Sequence, residues 1–163
     1  DILIRSLIDR TLKLLLRAAV VAFPCGLIIW LLANVSIGGG SLISYMASAL
    51  DPIGVLLGLD GVMLCAFVLA IPANEIVLPI ALMIYTASGS VAIGADIGGV
   101  LIENGWGAMT AISFMIFSVL HWPCSTTLLQ IKKETGSIGY TLLAAALPTL
   151  FGAIICIILN LFF

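Results

Sequence analysis

The chain has 163 residues, of which 63% are hydrophobic and only 9% are charged, and its mean hydropathy is +1.31. Soluble domains carry about 25% charged residues, so a chain this apolar could not cover itself with a polar surface in water. We therefore expect an integral membrane protein surrounded by lipid. With a net charge of −2 and six basic residues that form no patch, nucleic acid is excluded as a partner.

The first predicted element, residues 1–17, is an amphipathic helix on the membrane surface, because apolar residues recur there at three- and four-residue intervals. Its cations indicate the cytoplasmic side: Arg5, Arg10, Lys13 and Arg17. Residues 18–163 are predicted to form a single transmembrane domain. Its first span, residues 18–35, contains Pro24 and Gly26, which predict a kink. The chain begins with Asp1 rather than Met, and we expect a fragment or a processed product.

Three further apolar segments follow a connection in which we expect a short interfacial helix around residues 41–50. They cover about residues 62–85, 108–131 and 140–163, and the first two are interrupted by prolines: Pro72, Pro79 and Pro123. The sequence predicts an all-α, polytopic helical membrane protein with kinked spans and a broken or re-entrant hairpin.

Charge favours residues 62–85 as the re-entrant segment. The stretch 87–107 carries acids only, whereas Lys132 and Lys133 indicate the cytoplasm. If residues 62–85 crossed the membrane fully, these two lysines would lie outside. We therefore predict a hairpin whose tip is the sequence "PANE", with a cytoplasmic N-terminus.

The first candidate site is the motif "IPANE", since Glu75 is the only charged residue between Asp60 and Asp96. Ionisable residues inside membrane segments usually line pathways or pair with partners. A carboxylate beside the amide oxygen of Asn74 suits a cation. Alternatively, Glu75 lies at an interface or is neutralised by a hydrogen bond, and Asn74 caps the second half-helix.

The second candidate site is the motif "HWPCSTT". Cys124 and Ser125 follow a helix-breaking proline, so they fall in the first turn of the next half-helix, where the helix dipole favours a thiolate. With the imidazole of His121 and a carboxylate, they form a ligand set for Fe(II), Zn(II) or Mn(II). In the alternative, the hydroxyls satisfy free carbonyls and His121 is an interfacial residue beside Trp122, which is the interpretation we prefer for His121.

Other residues indicate no catalytic chemistry. The sequence contains no GxxxxGK[ST] loop and a single histidine, so we expect no enzyme and no permanently bound cofactor. Three cysteines sit singly in apolar runs and are interpreted as small buried hydrophobic residues: Cys25, Cys65 and Cys156.

The segments "LDPIGVLLGLDGVMLCAFVLAIPANEIVLPIALM" and "SFMIFSVLHWPCSTTLLQIKKETGSIGYTLLAAALPT" resemble the C-terminal membrane region of FeoB, the bacterial ferrous iron transporter. The likeness is to the second of its two Gate halves, in the form found in Firmicutes. The pattern "PxxxTxxxIKKETGS" is its most specific part. The resemblance implies a bacterial plasma-membrane protein that transports Fe(II), with Cys124 and Glu75 matching iron-path positions of the family.

The resemblance also implies partners. A GTP-binding domain and a first Gate half, which holds another path cysteine, would be supplied by the remainder of a FeoB-like chain. Alternatively, a second copy of this chain in a homo-oligomer would serve in place of the first half. Two other functions remain open: a Gate-type subunit for a nucleoside or other small polar solute, and a non-transporting membrane assembly subunit.

Overall fold

A computed structural model describes residues 2–37, 40–86 and 96–162, which form helices joined by short turns and one very short β-hairpin. The helices are α1 (Ile2–Asn34), α2 (Leu42–Leu56), α3 (Gly61–Leu69), α4 (Val77–Tyr85), α5 (Ile97–Glu103), α6 (Ala108–Leu120), α7 (Ser125–Thr135) and α8 (Ile138–Phe162), with a 3₁₀ turn at Asn74–Ile76. Strand β1 (Ser36–Ile37) pairs antiparallel with β2 (Gly40–Ser41). The predicted all-α membrane fold is confirmed.

Helix α1 continues from Ile2 to Asn34 and contains Pro24 within it. The predicted division between a surface helix (1–17) and a span (18–35) therefore falls inside one helix, and the position of the membrane along it stays a prediction. The side chains of Cys25 and of the four N-terminal cations lie outside the described part, as do residues 87–95 of the predicted acidic connection.

Two helical segments among the described residues are long and apolar enough to cross a membrane: Ala108–Thr135, which joins α6 and α7, and Ile138–Phe162. They agree with the predicted segments 108–131 and 140–163. Helices α2 and α3 would make a third span if taken together, but they are bent by 111°. Helix α2 occupies the place of the predicted interfacial helix and is longer, ending at Leu56.

Helices α3 and α4 form a hairpin in the middle of the molecule. Several side chains of α3 and its C-terminal end are fully buried, among them Met63, Cys65 and Phe67. A helix that is apolar on every side is expected in such a position. At the base of the hairpin Tyr85 donates a hydrogen bond to Asp60, so the segment returns to the place where it began. The predicted broken hairpin is confirmed.

The prediction that Pro79 breaks this segment is wrong. Pro79 is the third residue of α4, where a backbone N–H has no partner within the helix, so a proline there removes no helical hydrogen bond. The break lies earlier, between Leu69 and Asn74, and includes Pro72.

The sharp corner between α2 and α3 depends on two aspartates and one glycine. Asp60 caps α3 by accepting a hydrogen bond from Met63 N at 2.7 Å, and Asp51 of α2 accepts one from Gly61 N at 2.9 Å. A Cβ atom on Gly61 would lie 2.0 Å from the carbonyl oxygen of Ala47, so only glycine allows the two helices to approach this closely.

Helix α8 closes the fold against α6 and the end of α2. Cys156 Sγ lies 3.5 Å from Ser113 O, and Asn160 Nδ2 donates to Val55 O at 2.9 Å. Cys156 and Cys65 are fully buried, which confirms their interpretation as small hydrophobic residues. The outer faces of α1 and α8 carry exposed apolar side chains such as Phe23 and Leu161, as expected for a surface in contact with lipid.

Candidate functional site

The tip of the α3–α4 hairpin holds the first predicted motif. Ala73 is extended (φ −153°, ψ 112°) and begins the 3₁₀ turn. Asn74 is half-buried, and its Nδ2 donates to the carbonyl oxygen of Trp122 at 3.5 Å, in the other broken segment. Ala73 and Ile76, not Asn74, occupy the cap positions of the 3₁₀ turn and α4, so the structure does not use Asn74 as a helix cap.

Glu75 lies in the first turn of the same 3₁₀ helix, and its side chain is exposed. In this arrangement the carboxylate extends from the hairpin tip and is not enclosed by the core. A carboxylate at such a position can meet an ion before the ion has lost its water. Its role as a ligand stays a prediction.

The second motif interrupts the α6–α7 span. His121 ends α6 in an extended conformation (φ −76°, ψ 179°), and Cys124 stands at the N-cap of α7 (φ −58°, ψ 157°). The half-buried thiol of Cys124 lies 3.0 Å from Thr126 Oγ1 and 3.1 Å from Thr127 Oγ1. As the sequence predicts, Cys124 and Ser125 stand at the start of the second half-helix.

The two breaks meet. Ser125 N donates to Ile71 O at 2.8 Å, which joins the start of α7 to the hairpin tip. Around this bond, the described part of the chain contains four buried polar side-chain atoms without a hydrogen-bond partner: Asn74 Oδ1, His121 Nε2, Trp122 Nε1 and Ser125 Oγ. Buried polar groups are normally paired, so their concentration at one junction marks it as the polar centre of an apolar fold.

The structure differs from the preferred interpretation of His121 as an interfacial residue. His121 is only 5% exposed and lies near the middle of the 28-residue span Ala108–Thr135. Its ring packs against Phe67 of the hairpin, with a centroid distance of 4.8 Å, and against Trp122 at 5.6 Å. It is therefore a core residue at the junction.

The predicted ligands are only partly brought together. Asn74, His121 and Ser125 all belong to the junction, whereas Glu75 is exposed and Cys124 bonds within its own helix turn. Among the described residues, no three or more His, Cys, Asp or Glu side chains are close enough to hold one metal ion. Metal binding by these five residues stays a prediction.

A second polar region, at the base of the hairpin, was not singled out from the sequence. Tyr85 donates to Asp60 and accepts from Trp106 Nε1 at 3.1 Å. Beside this network lies a cavity of about 390 Å³, whose lining includes Ser48, Asp51, Tyr85 and Asn104. The stretch "LDGVML" could have indicated the position of Asp60, because an aspartate directly before an apolar helical run is a typical N-cap.

Comparison with known proteins supports a family assignment. The profile of the family described as "Gate: Nucleoside recognition" matches residues 15–138. The Fe(2+) transporter FeoB of Staphylococcus aureus strains COL, N315 and Mu50 is 44% identical to this chain over 48 residues. This segment is 29% of the chain but only 7% of each relative, so the match covers a small part of their length. No solved structure gives a significant match.

The family profile covers most of the chain, including both helix breaks and the junction between them, and the predicted resemblance to the Gate region of FeoB is confirmed. This chain belongs to the Gate, or nucleoside recognition, family of helical membrane proteins.

Proposed function

We propose that this chain is the membrane-domain part of a ferrous iron uptake transporter, with an ion path that carries Glu75 and Cys124. The observation that carries the proposal is the junction of the two helix breaks, where Ser125 N donates to Ile71 O. Non-helical backbone inside a membrane is tolerated where protein buries it or where it lines a cavity, and transporters build their binding sites from such discontinuous helices.

The donor chemistry of the two motifs suits a divalent transition metal. The chain offers a carboxylate at Glu75, a thiol at Cys124 and an imidazole at His121, with oxygen donors at Asn74 and Ser125. Thiolate and imidazole favour ions such as Fe(II) over Mg(II) and Ca(II). The name of the matched relatives supports Fe(II) as the ion carried.

The rest of the transporter is part of the same proposal. The partner is the remainder of a FeoB-like chain, in which a separate domain would bind GTP, and this part is neither an enzyme nor the holder of a permanent cofactor. The chain crosses the bacterial plasma membrane several times with its N-terminus in the cytoplasm. A second copy in a homo-oligomer is an alternative source of the missing half of the path.

Anaerobic Fe(II) binding to the purified chain in detergent tests the proposal. We expect saturable binding, and we expect Glu75→Gln and Cys124→Ser each to weaken the affinity for Fe(II) by about tenfold or more. Loss of an outer-shell partner of a metal ligand already costs about tenfold in affinity, and loss of a ligand should cost at least as much. Glu103→Gln is the matched control, since this exposed carboxylate lies at the end of α5 and belongs to neither motif. Absence of Fe(II) binding, or equal binding by all variants, would contradict the proposal.

A second candidate function is transport of a nucleoside or another small polar solute. It is favoured by the unpaired Asn74 Oδ1, Ser125 Oγ and Trp122 Nε1, which could exchange hydrogen bonds with hydroxyl and amide groups. The variant Cys124→Ser separates the two functions, because it should weaken metal binding and spare a site that recognises hydroxyls. A third candidate, a membrane assembly subunit, predicts altered assembly in the same variants with no change in metal binding.

A further inference from the structure

His121 holds one ring nitrogen free for a ligand. Its Nδ1 lies 3.1 Å from Phe117 O and 2.9 Å from Ser118 O. Carbonyl oxygens only accept hydrogen bonds, so Nδ1 must carry the proton in this arrangement. The lone pair of a neutral imidazole is then on Nε2, which is buried and has no partner.

The surroundings favour the neutral ring. Its neighbours are aromatic: Phe67, Phe117 and Trp122, at centroid distances of 4.8, 6.0 and 5.6 Å. A protonated ring would bury both a charge and a second N–H donor at Nε2, which makes no hydrogen bond in this arrangement. A ligating histidine commonly has its other nitrogen fixed by a carbonyl or carboxylate, as Nδ1 is here.

This nitrogen is set apart from the other predicted ligands. The Cys124 thiol contacts hydroxyls of its own helix, Glu75 is exposed, and the described residues form no group of three metal-binding side chains. Asn74 instead contacts the residue that follows the histidine, since its Nδ2 donates to Trp122 O while its Oδ1 is buried and unpaired.

We propose that His121 Nε2 forms a separate position on the ion path, at which a first-row transition-metal ion is selected against Mg(II) and Ca(II). This inference rests on the proposed function and deepens it. Imidazole binds Fe(II) readily, whereas Mg(II) and Ca(II) prefer oxygen ligands, and Mg(II) gives up its water reluctantly. Asn74 Oδ1, which is also buried and unpaired, is the candidate for a second donor. Neutral donors keep binding weak enough for the ion to move on, as conduction requires.

The test is X-ray absorption of Fe(II) bound anaerobically to the whole chain, purified without a histidine tag. His121 is the only histidine of the sequence, so imidazole scattering around the iron has a single source. We expect this scattering in the wild type and its loss in His121→Phe, which keeps an aromatic ring against Phe67. In competition with excess Mg(II), we expect the ratio of Fe(II) affinity to Mg(II) affinity to fall by about tenfold or more in that variant. Changes around a metal ligand commonly alter metal affinity by this amount.

Trp30→Phe is the control, because it changes an aromatic residue of α1 that is 55% exposed and belongs to neither motif; we expect neither measurement to change. The wild-type spectrum decides the question even if His121→Phe does not fold. Fe(II) binding that depends on Cys124 and Glu75 but shows no imidazole would overturn this inference and leave the proposed function standing. Imidazole scattering in the wild type, together with total Fe(II) binding that Cys124→Ser and Glu75→Gln leave unchanged, would support the inference and contradict the proposed path. A wild type that binds no Fe(II) would overturn both.

Discussion

Polar side chains in this apolar chain are used in two different ways. At the base of the hairpin, Asp60, Tyr85 and Trp106 satisfy one another, and Asp60 also caps α3. At the junction of the breaks, His121 and Asn74 keep a buried atom without a partner. A fully paired network stabilises a fold, whereas unpaired buried atoms are costly and are typical of places kept for a ligand.

Replacement of Tyr85 by Phe tests the paired network. The change removes the hydroxyl that donates to the Asp60 carboxylate and leaves Trp106 Nε1 without its acceptor. We expect a loss of about 1.5–3 kcal/mol in the free energy of unfolding, as for other hydrogen bonds to charged groups. Thermal unfolding in detergent, followed by tryptophan fluorescence, measures it. Tyr140→Phe is the control, since Tyr140 is 64% exposed on α8; equal losses in both variants would contradict a specific role for the network.

At the scale of elements, the two broken segments are joined through the backbone. The hydrogen bond from Ser125 N to Ile71 O links the N-terminal end of α7 with the hairpin tip. Asn74 adds a longer contact to Trp122 O at 3.5 Å. The position of the tip therefore depends on a bond that a side-chain substitution ordinarily leaves intact.

Ser125→Pro removes this bond selectively. Proline is well tolerated at the first position of a helix, and Cys124 already has the extended conformation (φ −58°, ψ 157°) that a residue before proline requires. Loss of a bond worth about 0.5–1.5 kcal/mol should raise the opening of the tip up to about tenfold. We expect faster hydrogen exchange at the amides of Ala73 and Ile76, which bond within the tip.

Ser125→Ala is the control for this experiment, because it removes the unpaired hydroxyl and retains the backbone N–H. Its tip amides should exchange at the wild-type rate. Equal exchange in Ser125→Pro and wild type would mean that the hairpin tip is held by other contacts, chiefly the packing of Phe67 on α6.

Prolines explain how far the sequence could predict these elements. Pro72 and Pro123 stand in the two real breaks, so the motifs were located correctly from local chemistry. The prediction for Pro79 was wrong because a proline breaks a helix only when it lies beyond the first turn. Here the preceding 3₁₀ turn sets the start of α4, and Pro79 falls within its first turn. Helix α2 was predicted at about residues 41–50, which is too short, because Pro52 lies inside the helix and does not end it.

Pairings between distant segments could not be predicted in the same way. The contacts of Ile71 with Ser125 and of Phe67 with His121 join residues about fifty positions apart, and no periodicity encodes them. For the same reason the sequence suggested five metal ligands in two motifs without their relative positions, and the structure has an exposed carboxylate, a thiol bonded within its helix turn and a buried imidazole.

At the scale of the whole molecule, the cavity at the hairpin base bears on topology. Ser48 precedes the hairpin and Asn104 follows it, yet both line this cavity together with Tyr85. A segment that crossed the membrane once would leave them on opposite faces. We therefore expect the hairpin to return the chain to the side from which it came, with the α6–α7 segment then crossing towards Lys132 and Lys133.

Labelling with a membrane-impermeant maleimide in intact cells tests this arrangement. We expect Ser48→Cys and Asn104→Cys to react from outside, and Glu134→Cys, beside the two lysines, to react only after the membrane is opened. The background replaces Cys25 and Cys124 by Ala, while Cys65 and Cys156 are buried and should stay unlabelled. Reaction of Ser48→Cys and Asn104→Cys from opposite faces would show that residues 61–85 cross the membrane. Reaction of both only from the cytoplasmic face would keep the hairpin and reverse the orientation, so that the two lysines would oppose the positive-inside rule.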